Sequence, residues 1–356
     1  KYQIYLIKQF LKNFLVISLI FFAISFILNF FEELKFFDNY DVGIKYPVFL
    51  TFLNSPSILF ELFPFVFLIS VKFFYIELIE KNEIEIFKNN GVNYSKIISI
   101  LSLISFLLGI FIIIFFYTFS SVLKNQYFNF KNNFSDGNEY LAVVNESGLW
   151  IKEELNDQSN IIHASKFEGN FIKDIIITQN NKSDNKSNII IAKEADITNK
   201  VWILNEVVTQ NKDALNQKHK LMKYESTFNG QIISKLFSNL NTLNLFQLHE
   251  LLKNYLKIGY STAEIKSHIN KLYSAPLFFL LMTVIGFLII IKLKFIKTKF
   301  FSIIVGVFIS VLIYYLNYFS SLFGTNETVP IELSIWLPHL ILFLICLVGL
   351  VRVNEI

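Results

Sequence analysis

Residues 82–93, "NEIEIFKNNGVN", separate two long apolar runs, "ILFELFPFVFLISVKFFYIEL" at 58–78 and "IISILSLISFLLGIFIIIFFYTF" at 97–119. Each run approaches or exceeds the roughly 20 residues a helix needs to cross a bilayer. The charged stretch between them is far too short to cross. Asn82 can cap a helix, and Glu85 stands at the third helical position, the arrangement of a capping box. Gly91 follows as a left-handed stop. The pattern predicts a helix of about eight residues, roughly 12 Å long. Ile84, Phe87 and Lys88 share one side of it at helical spacing, while Glu83 and Ile86 lie toward another. Apolar anchors on two sides suit contact with two bodies, the membrane domain and a cytosolic protein. An ordinary interfacial helix is the alternative.

The rest of the chain repeats the contrast. Of its 356 residues 53% are hydrophobic and 41 are Phe, a balance that soluble domains do not usually reach. Six runs are long enough to span, at 10–30, 58–76, 97–119, 274–291, 301–323 and 335–351. The expected class is an α-helical membrane protein with six transmembrane helices and an antiparallel β-domain outside. The first run is too long for a signal h-region and lacks a small-x-small cleavage site, so it is read as a helix. Net charge is only +4, and nothing in it implies a nucleic-acid partner. The single Cys346 cannot form an internal disulfide and reads as a small buried hydrophobe.

Lysines set the orientation. Lys1, Lys8 and Lys12 precede the first span; Lys81, Lys88 and Lys96 follow the second. Lys292, Lys294, Lys297 and Lys299 crowd the loop after the fourth, and Arg352 lies in the tail. The opposite loops hold only Lys35 and Lys45. Both termini are therefore expected in the cytoplasm, with the segment between the third and fourth spans outside. That segment changes character. Runs such as "LWIKEEL", "NFIKDIIITQ", "NIIIAKEADI" and "KVWILNEVVTQ" mix β-branched and aromatic residues with polar ones and are separated by turn-rich stretches. They predict an antiparallel β-domain of sandwich or jelly-roll type. Trp150 and Trp202 are its largest apolar side chains, and both are expected in its core. The expected domains are 1–123, with the short helix at 82–91; 124–245; and 246–356.

Catalytic signatures are missing. The chain has no Walker A sequence, no HExxH, no G-x-S-x-G and no Cys/His cluster with metal spacing. No metal, cofactor or catalytic residue is expected, and any work must be powered from elsewhere. Lys72 is the most buried-looking charge and is expected to snorkel to the interface, a cavity-lining role being the alternative.

With these residues in hand, the chain resembles the LptF/LptG permease family of the lipopolysaccharide-export ABC transporter. Asn82, Glu83, the apolar stretch 84–87 and Gly91 match the family's coupling helix. "FLNFFEELK" and "FELFPF" resemble its first two spans, and "ESGLWIKE" and "KVWILNEV" its periplasmic strands. "YSAPLFFLLMTVIGFLI" resembles its fourth helix and "LFGTNETVPIELSIWLPHLILFLICLVGL" its last hairpin. "GLW" and "KVW" favour an LptG-like member. Where some relatives place a basic residue at the outer end of the first helix, this chain has Asn29, with Lys35 six residues on.

The resemblance implies a permease subunit in the bacterial inner membrane that extracts lipopolysaccharide and passes it to a periplasmic bridge. Its implied partners are a cytosolic LptB-like ATPase dimer, a homologous LptF-like permease and LptC/LptA-like β-jelly-roll bridge proteins. Glu83, Ile84, Phe87, Lys88 and Gly91 would couple to the ATPase. Phe63, Phe65 and Phe67 are candidates for the wall of an acyl-chain cavity, and Lys35, Lys124 and Lys131 for the phosphorylated head. Trp150, Ile151, Trp202 and Ile203 would line a conduit through the β-domain. Two rival readings are an intramembrane glycolipid-modifying enzyme and a membrane-anchored β-domain scaffold. The first would need ionisable residues clustered at one depth, and beyond Lys72 and Glu61 few exist. The second would not need a coupling helix.

Overall fold

The structure is a computed structural model that describes residues 2–40, 42–132, 134, 149–155, 158–168, 170–181, 187–211, 214–230, 233, 239–258, 260–293 and 299–354. Lys294 and Lys297 lie outside the described residues. The chain divides into a helical unit, residues 1–124 and 263–356, and a second unit, residues 125–262.

The helical unit contains α1 (Tyr2–Phe36), α2 (Lys45–Glu80), the short α3 (Glu83–Asn89) and α4 (Tyr94–Phe111), which runs through a π-helical turn, Ile112–Tyr117, into α5 (Thr118–Asn132), whose residues from 125 on belong to the second unit. After the second unit come α7 (Ala263–Leu293), α8 (Lys299–Thr325) and α9 (Ile331–Asn354). Among the described residues six stretches are helical, long and apolar enough to cross a membrane, and each contains one of the six runs read from the sequence. A helix satisfies its own backbone groups, so it is the form such runs adopt in lipid. The centre is aromatic: Phe67 stacks on Phe279 at 4.9 Å and meets Phe14 at a tilt at 4.8 Å, while Tyr75 meets Phe287 edge-on at 5.0 Å. Small residues let the helices close. A Cβ on Gly286 would come within 2.6 Å of the Leu68 carbonyl, and one on Gly109 within 2.7 Å of the Pro276 Cα. α7 is the most enclosed span, with 78% of its most apolar stretch buried, whereas α1 and α8 bury only 22%.

Among the described residues the second unit holds six strands, β1 (Leu149–Leu155), β2 (Gln158–Glu168), β3 (Phe171–Asn181), β4 (Ser187–Asp196), β5 (Val201–Asn211) and β6 (Ala214–Glu225), followed by α6 (Leu245–Ile258). All neighbours pair antiparallel, and the order in the sheet is the order in the chain. The antiparallel β-domain is present; its described strands are joined in the simple order of a meander.

Alternation puts Ile151, Ile162, Ile177, Ile190 and Trp202 on a buried face. The alternation slips along one line across the sheet. Buried positions are three apart, not two, at Ala164/Phe167, Ile172/Ile175, Ala192/Ala195 and Leu204/Val207, and these pairs face each other in register. Asp174 and Glu206, at φ 52° on that line, carry the left-handed residues of local irregularities. Irregularities aligned over four strands crease a sheet. The crease brings the two edge strands together: Glu153 of β1 accepts from Tyr224 of β6 at 2.7 Å and from Ser226 at 3.0 Å. One sheet thereby shelters its own apolar face.

A candidate docking helix and the residues of a substrate path

α3 begins two residues after α2 ends, so the chain must reverse within Lys81 and Asn82. Asn82 does this in the left-handed region, φ 55°, and its side chain makes no capping hydrogen bond. The expected capping box is therefore not formed, because a true N-cap needs an extended backbone. The stop is as expected. Gly91 has φ 73°, its amide reaches the Lys88 carbonyl at 3.0 Å, and the Val92 amide reaches Phe87 at 2.9 Å.

The faces of α3 are divided differently from the expectation. Ile84 is buried in the helical unit's own core, and Phe87 packs against that core. Glu83 accepts from the Tyr5 hydroxyl of α1 at 2.6 Å. These three residues, expected at the ATPase contact, serve first to seat α3 on its own domain. Ile84 in particular is corrected from a docking residue to an anchor. Exposed instead are Ile86, Glu85, Lys88, Asn89 and Asn90. Ile86 is 57% exposed and forms an apolar knob among charges. Lys88 lies 4.2 Å above the Tyr94 ring. The base of this arm is braced by Asn13, which donates to Glu77 at 3.2 Å, and by the Lys81–Glu77 ion pair at 2.8 Å.

Of the expected acyl-chain wall, Phe63 and Phe67 are corrected to core positions. Both are nearly inaccessible, and their rings contact Phe14 and Phe279. Phe65 remains partly open and meets Tyr314 at 5.8 Å. The three Phe alternate at i, i+2 and i+4, so a helix could not present them on one face.

Lys35 is exposed at the end of α1. Lys124 donates to the Asn54 side-chain oxygen, and Asn54 donates in turn to Asn29 at 2.9 Å. The Asn29 that departs from the family pattern is thus one end of a buried amide relay whose other end is a lysine. Lys131 belongs to the second unit, where it is largely buried and donates to the Tyr127 hydroxyl at 2.7 Å.

In the sheet, Ile151 and Trp202 face inward, and the Trp202 indole donates to the Phe228 carbonyl at 2.8 Å. Trp150 and Ile203 face outward, 48% and 42% exposed, which corrects both from core or conduit positions. Strand parity decides this. With Ile151 and Trp202 inside, their sequence neighbours must point out. The Trp150 ring lies tilted against His163 of β2 at 4.2 Å.

One feature escaped the sequence reading, and another departs from its expectation. Glu153, also inward, accepts four hydrogen bonds: from Tyr224, Ser226, the Thr227 amide and the Thr227 hydroxyl, the last two at 3.0 and 3.1 Å. Parity with Leu149 and Ile151 could have placed it inside. Lys72 does not snorkel. It has no exposed surface and donates to the Ser302 main-chain carbonyl on α8. Among the described residues no three His, Cys, Asp or Glu are grouped as metal ligands.

A family model described as "Lipopolysaccharide export system permease LptF/LptG" matches residues 4–352. The chain is also 26% identical over 260 residues to an uncharacterized protein of Rickettsia prowazekii (strain Madrid E), covering 69% of this chain and 70% of that relative.

Proposed function

Since the chain belongs to the LptF/LptG family of lipopolysaccharide export system permeases, we propose that it is the half-transporter whose α3 receives a cytosolic ABC ATPase. Exposed Ile86, flanked by Glu85 and Lys88 on a helix otherwise seated on its own domain, is the observation that carries this reading. An apolar knob ringed by charges suits insertion into a groove of a soluble partner. The orientation follows from the lysine-rich loops: α3, both termini and the α7–α8 loop face the cytoplasm, and the β-domain faces the periplasm.

The reading extends to the substrate. A homologous permease completes a cavity for lipopolysaccharide, with the weakly buried α1 and α8 turned toward it. Lys35 and Lys124 supply cations for lipid phosphates, Lys124 being steered by Asn54. A β-jelly-roll bridge protein adds to the β6 edge by strand pairing. β1, the other edge strand, also packs against α6.

Co-purification of an ATPase with the full chain tests the proposal. Retention of the ATPase by the native chain and its loss with Ile86→Asp is the expected result. Equal retention by both would remove α3 as the docking element.

A further inference from the structure

Lys72 lies on α2, eight residues before the helix ends, and is wholly buried. Its ammonium donates to the Ser302 carbonyl in the first turn of α8. Gly306, one turn further along α8, makes the room. A Cβ there would fall 2.9 Å from the Lys72 Cε and 3.0 Å from its Cδ. An ammonium has three donors, and burying it against a single carbonyl is costly. Once buried, the ammonium is held by the charge-assisted bond to that carbonyl, which ties α2 to α8 at this depth. The Ser302 hydroxyl is also buried without a hydrogen-bond partner.

The position of this contact gives it a purpose. α8 is otherwise weakly enclosed, whereas α2 buries 67% of its most apolar stretch. α2 continues through Lys81 and Asn82 directly into α3.

We propose that Lys72 is a positioning residue that latches α8 to the α2–α3 arm, so that force applied at α3 reaches α8. Transmission of force rests on the reading of α3 as a docking helix; the latch itself does not.

The latch can be measured on the full chain in lipid nanodiscs with spin labels at Phe73→Cys and Ile304→Cys, in a Cys346→Ser background. A single narrow distance distribution is expected. Lys72→Met keeps the stem but removes the ammonium, and it should broaden or split the distribution. Ser302→Ala keeps the main-chain carbonyl and should leave it narrow. An unchanged narrow distribution with Lys72→Met overturns the latch. If that variant is not recovered from the membrane, Gly306→Ala displaces the Lys72 stem and is read in the same way.

In the complex with its ATPase, Lys72→Met should keep ATP hydrolysis while lipopolysaccharide released per ATP falls about ten-fold or more. A native ratio would overturn the transmission role. Failure of the ATPase to co-purify with the native chain would instead defeat the docking reading, and the distance measurement would still decide the latch.

Discussion

Glu153 is held by three hydroxyls and one amide, none of them cationic. Burial, and then the carboxylate beside it, push the Tyr224 hydroxyl far above its usual range, so it remains a donor. Glu153→Ala would strand those donors in the interior. The expected loss is about 3 kcal/mol of β-domain stability, read as faster hydrogen exchange at 201–211 and 214–225. Glu153→Gln should retain most of it. A second carboxylate, Asp196, accepts from the hydroxyl of Thr198 at 2.6 Å and from its amide at 2.9 Å. These bonds hold its pKa below the ordinary carboxylate value. A depressed folded pKa contributes stability that is present above the unfolded value and lost as pH falls through the folded one. The β4–β5 turn should therefore loosen in acid, below about pH 4, in amide exchange measured against pH. Thr198→Ala should weaken that dependence.

The two sides of α3 separate docking from folding. Ile86→Asp should abolish ATPase retention and leave expression intact, because Ile86 touches solvent. Phe87→Asp should lower the yield of folded protein, because Phe87 packs on the core and an unpaired carboxylate there is costly. Size-exclusion profiles in detergent distinguish the two. Gly91→Ala should cost about 1 kcal/mol, since φ 73° strains any side chain. At this scale the sequence is readable where the solvent imposes a period. Six spans follow from the length of apolar runs, and four of the six described strands, β1, β3, β4 and β5, from turn spacing and mixed β-branched runs. Partnerships are not readable in this way. Periodicity can say that Lys72 or Asn54 is inside, but the residue it meets, Ser302 or Lys124, is fixed by how helices distant in sequence cross. The capping box does not form because only two residues join α2 to α3, a constraint stronger than side-chain preference. Trp150 faces out although its size argues for the core, because strand parity outranks size.

At the scale of the whole molecule, the lysine distribution makes a topological prediction. In a Cys346→Ser background, Lys166→Cys on β2 should be labelled by an impermeant thiol reagent from the periplasm, and Asn90→Cys only after the inner membrane is opened. The reverse pattern would relocate every partner named above. The sheet also bears on how the protein is made. Because each strand pairs with its successor, the meander can grow hairpin by hairpin as the chain emerges, with short loops to close. Glu153 must wait for donors 71 to 74 residues later. Until then its carboxylate stays hydrated and the sheet lies open along its crease. Sealing the β-domain is thus a single late event of biogenesis, governed by the arrival of residues 224–227 and not by strand pairing itself.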